Sequence, residues 1–370
     1  MSNNVVLNSF LLLLALVFML IPEMVDSKEN LYFYVSLGFS VALLLNTVVA
    51  VSFKISYYII IMSILFFAHW LFTPDKLMTV ILFFATMLLF EIVKQYEFSY
   101  KYIVYPFLAF SVIGFILTLP DLLASITEVH LSRSTLYKGL YTNANTTSEM
   151  YLIVIMCTLL FIKTPYLRKI FVISSIVCIL ATGCRNGLLC LALFLFLRWL
   201  LKKYSSKKVF MLFLIILLSV FIYMVFIESQ HIIDINYMGK EAGSAGRSAQ
   251  IIYVINHFSL NLFGHGRDVI LNAVVSKEYY AVHNFYVHSI YSSGALIVLG
   301  YFYYIYDLYN KLNSIVAKSF LLTFHFSFFF EPGLCYYYSI SIVLVNVILS
   351  LKFIEERNSE CEVQHCCLIS

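Results

Sequence analysis

Residues 149–203 read EMYLIVIMCTLLFIKTPYLRKIFVISSIVCILATGCRNGLLCLALFLFLRWLLKK, three apolar runs parted by KTPYLRK and by the turn TGCRNG. None of the three runs carries the polar face that a helix at a water surface needs, and each approaches the roughly 20 apolar residues of a bilayer-crossing helix. Lys163, Arg168 and Lys169 fill the first break and Arg198, Lys202 and Lys203 follow the third run, whereas Arg185 is the only cation in the second break. That alternation is what a chain threading back and forth through a membrane shows, with cations concentrated on one side.

Read outward from this stretch, apolar runs near 5 to 22, 31 to 52, 56 to 73, 77 to 93 and 102 to 119 precede the run at 149 to 163. After it come runs near 168 to 183, 186 to 201, 208 to 227, 284 to 306, 316 to 330 and 333 to 353. The expected fold is therefore an all-α polytopic integral membrane protein with about twelve transmembrane helices, ten or eleven if the shorter pairs around Gly183 and Gly333 do not each cross. Composition agrees: 62% hydrophobic residues, 12% charged and a mean hydropathy of +0.90 lie far from a soluble domain, which averages about 25% charged. A single membrane domain, 1–370, accounts for the chain. Its net charge of +4 is spread over short loops, which leaves no electrostatic footprint for nucleic acid. The eight cysteines sit mostly in apolar runs and form neither a disulfide framework nor a zinc spacing. The opening MSNN lacks the positive charge of a signal peptide, so the first run reads as a retained span. The final Cys367-Leu368-Ile369-Ser370 matches a prenylation signal only formally.

If the basic loops face the cytoplasm, both termini do as well, and two long segments, 120–148 and 228–283, fall on the opposite face. Long polar segments are where chemistry is expected, and on that face no ATP is available, so the energy must come from the substrate. In the larger loop, RSAQIIYVINHFSLNLF places Ile251, Val254, Ile255, Phe258 and Leu262 on one helical stripe, an amphipathic helix suited to the membrane surface or to capping the bundle.

Few ionisable groups lie on that face. Arg185 sits where one run ends and the next begins, as an interfacial anchor or a ligand. Arg247, in GSAGRSAQ, follows glycines and opens the amphipathic stretch, where amides at a helix start and a bidentate guanidinium together suit a diphosphate. Arg133 and Lys138 add positive charge in the other loop. His283, at the re-entry into the membrane, has the residue chemistry of a general base near neutral pH, or else belongs to the aromatic belt of Tyr279, Tyr280, Phe285 and Tyr286. No paired-histidine spacing occurs, so neither a catalytic metal nor another cofactor is expected. His69, Glu91, Glu149 and His325 are buried ionisable residues scattered along the chain; they read as paired structural groups rather than a transporter's proton relay.

The order of these elements resembles the bacterial O-antigen polymerase and O-antigen ligase superfamily. A glycine and an N-x-N element before a span (GLYTNANTTSEM, with Asn143 and Asn145) are followed by a T-G-x-R element at a span end (ATGCRNGLL). Then come a GR that opens a helical stretch, a G-x-G turn (LFGHGRD, with Gly264 and Gly266) and an H-N element followed by a glycine (VHNFYVHSIYSSG). The likeness covers about residues 139 to 294, and before that only the hydrophobicity matches.

The resemblance implies glycosyl transfer at the periplasmic face of the inner membrane from an undecaprenyl-diphosphate-linked glycan. Arg185 and Arg247 would stabilise charge developing on the diphosphate, and His283 would orient or deprotonate the acceptor hydroxyl. Arg133, Asn143, Asn145, Asn284, Gly264 and Gly266 would contact substrate or support those that do. Polymerase and ligase differ in acceptor, which is another lipid-linked repeat unit or the lipid A core. Ligases carry a second histidine just before the H-N pair and an acidic residue before the following glycine. Here Ala281 and Val282 precede His283, and Ser292 and Ser293 precede Gly294, which favours a polymerase. A chain-length regulator is implied as a partner by the resemblance alone. The alternative from another class is a flippase or solute transporter, which would concentrate polar residues and broken helices at the bilayer midplane in two related halves; no such repeat is visible.

Overall fold

Twenty apolar residues in lipid must satisfy their own backbone groups, and a helix does so within one segment. Helices are what these runs form in a computed structural model, which describes residues 3–25, 31–50, 57–72, 88–94, 98–127, 136–141, 143–230, 270–272, 277–279, 284–328 and 340–369. In chain order they are α1 (Asn3–Val25), α2 (Leu31–Ala50), α3 (Tyr57–Phe72), α4 (88–94), α5 (Lys101–Leu117), α6 (Leu119–Thr127), α7 (Ala144–Phe161), α8 (Pro165–Ala181), α9 (Arg185–Lys203) and α10 (Ser206–Gln230). A two-stranded hairpin follows, β1 (Ile270–Asn272) and β2 (Lys277–Tyr279), paired antiparallel with Ile270 opposite Tyr279. Then come α11 (Phe285–Ser293), α12 (Ala295–Lys311), α13 (Ile315–Ser327) and α14 (Ile340–Ile369).

The centre of the bundle is α7. It packs against α5, α8, α9, α13 and α14, and every residue from Thr147 to Thr158 is buried. A helix that is apolar all round belongs where every side has a neighbour. The peripheral helices instead turn large apolar side chains outward: Ile116 of α5, Ile173 of α8, Leu195 of α9, Leu218 and Ile222 of α10, and Leu299 of α12 are all more than half exposed. A soluble protein rarely exposes contiguous apolar surface on this scale; a lipid-facing belt requires it. Among the described residues, windows at Asn4–Ile21 and Ala144–Phe161 are long and apolar enough to cross a membrane alone. The pair α5 and α6, bent by 58° at its junction, would add a third crossing.

Several boundaries differ from the sequence expectation, each for a local reason. The stretch expected as one span near 284 to 306 is two helices, because Gly294, at φ +87°, ends α11 and begins α12. Helix α7 starts at Ala144 rather than near 149, since the Asn143 side chain caps it. The segment expected as loop from 120 begins as the helix α6. The last helix continues through the polar tail to Ile369. The hairpin departs from an all-α expectation: its strands, of three residues each, are too short for a period-two pattern to stand out. Of the run near 77 to 93, only the end from 88 is described, and the amphipathic stretch Ile251 to Leu262 lies outside the described residues.

At the end of the bundle where α9 finishes, charges are paired. Lys94 Nζ lies 2.6 Å from Glu91 Oε1 and 3.0 Å from Asp307 Oδ2, and Lys311 reaches the same Asp307 oxygen at 2.8 Å. Nearby, Glu356 accepts hydrogen bonds from the backbone N–H groups of Asn313 and Ser314. Glu91 thus has the structural partner expected of it, as do Glu149 and His325, described below.

Candidate functional site

The opposite end of the bundle, where α8 turns into α9, gathers the polar residues that the sequence singles out. Thr182 and Gly183 close α8: the N–H of Thr182 donates to Cys178 O, and Gly183, at φ +56°, takes the left-handed conformation that ends a helix without the strain a Cβ would bring. The Thr182 hydroxyl then accepts from the Cys184 N–H at 3.2 Å, and Arg185 begins α9. The T-G-C-R element is therefore a helix stop followed at once by a helix start. Arg185 is exposed, with no ion-pair partner among the described residues. Beside it, the first-turn amides of α9 have no acceptor within their own helix and carry the positive end of its dipole.

The N-x-N element lies against this turn. Asn143 Oδ1 accepts from the Asn145 N–H at 3.0 Å, capping α7, and Asn145 Oδ1 accepts from the Cys184 thiol at 3.1 Å. One side of the element is clipped down further by Tyr137, whose N–H donates to Ala181 O at 3.3 Å and whose hydroxyl bonds Thr118 and Tyr151. Burial holds the Tyr137 phenol above its ordinary pKa, against the lowering pull of those hydrogen bonds, so it remains a neutral donor. Thr147 donates to the carbonyls of Lys138 and Asn143, which fixes the loop before the helix.

The H-N element reaches the same end through α13. Asn284 is fully buried; its Oδ1 accepts from the Val287 N–H at 3.0 Å to cap α11, and its Nδ2 has no partner among the described residues. Two residues on, the Tyr286 hydroxyl donates to His325 O at 2.6 Å, which fastens α11 to α13. His325 in turn bonds the Tyr301 hydroxyl through Nε2 at 3.0 Å.

Three separate stretches of sequence thus converge. Arg185, Asn143 and Asn145 form one cluster, and Asn284 joins it by way of α13. Asn143 and Asn145, expected among the substrate contacts, have their side-chain oxygens engaged in the cap and with Cys184. Arg133, Arg247, Gly264, Gly266 and His283 lie outside the described residues. The side chain of His69 does too.

Glu149, expected from the sequence to be a paired structural group, lies directly beneath this cluster. Glu149 is 6% exposed and takes hydrogen bonds from Ser327 Oγ at 2.9 Å and from the Ser341 hydroxyl, while Asn186 Nδ2 donates to Ser327 Oγ at 2.9 Å. A carboxyl group one turn inside an apolar span was the signal that could have marked it; its partners, on helices far along the chain, were not readable.

A polytopic helical membrane protein with a cationic helix start at one rim is the class these features define. Residues 170–319 match the family model described as O-antigen ligase, which is consistent with the O-antigen polymerase and ligase superfamily, whose members are glycosyltransferase-like enzymes. The match takes in Arg185, Arg247, Gly264, Gly266, His283 and Asn284, and begins after Arg133, Asn143 and Asn145. No curated protein matches the chain significantly.

Proposed function

We propose that this protein is an O-antigen polymerase that joins undecaprenyl-diphosphate-linked oligosaccharide repeat units at the periplasmic face of the inner membrane. The observation that carries the reading is the junction of Cys184 with Asn145, which sets Arg185 and the first-turn amides of α9 beside the cap of α7; Cys184 and Arg185 lie within residues 170–319, which match the family described as O-antigen ligase. An exposed guanidinium beside the amides of a helix start suits a diphosphate.

In this reading the chain crosses the membrane about twelve times, both termini face the cytoplasm, and the segments 120–148 and 228–283 face the periplasm. The hydroxyl of the acceptor sugar attacks the anomeric carbon of the donor, the bond to the diphosphate oxygen breaks, undecaprenyl diphosphate leaves with the electron pair, and the hydroxyl proton passes, by way of His283 or solvent, to the released diphosphate. Arg185 and Arg247 offset the charge that develops on that oxygen, doing without a metal what a metal does elsewhere. His283 orients the acceptor hydroxyl, and Asn284, with its spare buried Nδ2, together with Arg133, Asn143, Asn145, Gly264 and Gly266, holds the glycan. A chain-length regulator is the expected protein partner.

The matching family is described as O-antigen ligase, which favours a second reading in which the acceptor is the lipid A core. Lipopolysaccharide from a strain lacking the gene separates the two. Core bearing a single repeat unit is the expected result. Bare core with polymer held on undecaprenyl diphosphate would instead establish the ligase, bare core with no externally exposed lipid-linked repeat a flippase, and an unchanged ladder would remove the pathway altogether.

A further inference from the structure

Arg185 is fixed by its neighbours rather than by its own side chain. Cys184, before it, donates to Asn145. Asn186, after it, donates to Ser327, which donates to Glu149. Gly187 comes so close to α7 that a Cβ there would fall on the Ser148 side chain. The residues on both sides of Arg185 are thus registered against one face of the central helix, at Asn145, Ser148 and Glu149, which are spaced i, i+3 and i+4. The middle link is unusual in its chemistry. Among the described residues no cation pairs with Glu149, and its carboxyl group is held by two hydroxyls, from α13 and α14. A buried carboxyl group whose described partners are hydroxyls alone costs stability relative to an apolar side chain, so packing alone does not account for it. Its two oxygens do hold two hydroxyl donors in fixed directions, which an apolar group cannot.

We propose that Glu149 is a positioning residue for Arg185, acting through Ser327 and Asn186 to hold the first turn of α9 in register against α7. The proposal rests on the reading of Arg185 as the group that stabilises the leaving diphosphate. Displacing such a group by about 1 Å lowers turnover by roughly two orders of magnitude, with little effect on ground-state binding.

The test uses full-length protein in proteoliposomes, with the undecaprenyl-diphosphate-linked repeat unit extracted from a strain lacking the gene. Ser327→Ala removes the middle link at the cost of a single oxygen. It is expected to lower kcat roughly tenfold or more, with KM and thermal melting little changed. Glu149→Ala should lose at least as much, and Glu149→Gln, which keeps an acceptor for Ser327, should recover most of that loss. Arg185→Lys keeps charge but loses the fork, and on that background Ser327→Ala should add nothing, because the group it positions is already impaired. The proposal is overturned if Ser327→Ala leaves kcat unchanged, if its effect multiplies with that of Arg185→Lys, or if the loss follows a lowered melting temperature. Full turnover by both Arg185→Lys and Arg185→Ala is a different failure: it removes the donor-site reading of Arg185 itself, and the positioning role with it.

Discussion

Arg185 is a residue whose position in sequence and position in space say the same thing. The end of one apolar run and the start of the next put it at a rim, and the Gly183 turn puts it at the first position of a helix, exposed beside amides that have no acceptor within their own helix. Arg185→Ala is expected to lower polymer formation by roughly 100-fold or more, as removal of an oxyanion-stabilising donor does, while the protein still inserts; Arg185→Lys should retain part of the activity. Arg247→Ala should behave like Arg185→Ala. Glycan ladders scored against immunoblots of membrane fractions check all three. Asn143 shows where residue-level reading stops. An N-x-N element before a span has the same letters whether its side chains meet a sugar or cap a helix, and in this chain the first Oδ1 caps α7. The pairing of Asn145 with Cys184 depends on how two helix ends meet, which no local pattern encodes.

At the scale of the element, hydrophobic runs mark helices well because the requirement is local: an apolar segment must satisfy its own hydrogen bonds. Breaks within runs are harder. Gly294 is one of several glycines in apolar surroundings, and only its φ of +87° divides the expected span into α11 and α12. Pairings between helices are harder still. Lys94 and Glu91 share a helical face and are visible as a pair, but Asp307 joins them from far along the chain. Lys94 is 9% exposed, so Lys94→Met takes its cation from the buried Glu91 carboxylate, while the more exposed Asp307 keeps Lys311. The expected cost is about 3–5 kcal/mol, read as a lower melting temperature in detergent. Lys311→Ala, which removes a half-exposed cation from the same Asp307, should cost under about 1 kcal/mol.

The whole molecule follows from α7 being surrounded. A central helix buried on every side and peripheral helices that turn isoleucine and leucine outward define an inside and a lipid belt without reference to any family. Composition makes that much legible, and the clustering of lysine and arginine in alternate loops gives an expected orientation. Cysteines introduced in place of Asn143 and Ser205 therefore report on sidedness. The first should react with a membrane-impermeant maleimide in intact cells and the second only after lysis; the reverse would invert the topology. The rim site is a property of assembly, since α7, α8, α9, α11 and α13 each contribute one link to it.

The central claim, that the chain lengthens a glycan on its lipid carrier, is tested most directly with the purified protein in proteoliposomes. The substrate is the undecaprenyl-diphosphate-linked repeat unit, supplied in the presence of a metal chelator, with products separated by length. A ladder of lipid-linked oligomers that Arg185→Ala abolishes is the expected result. Unchanged monomer from active-folded protein, or transfer only when lipid A core is added, would contradict it.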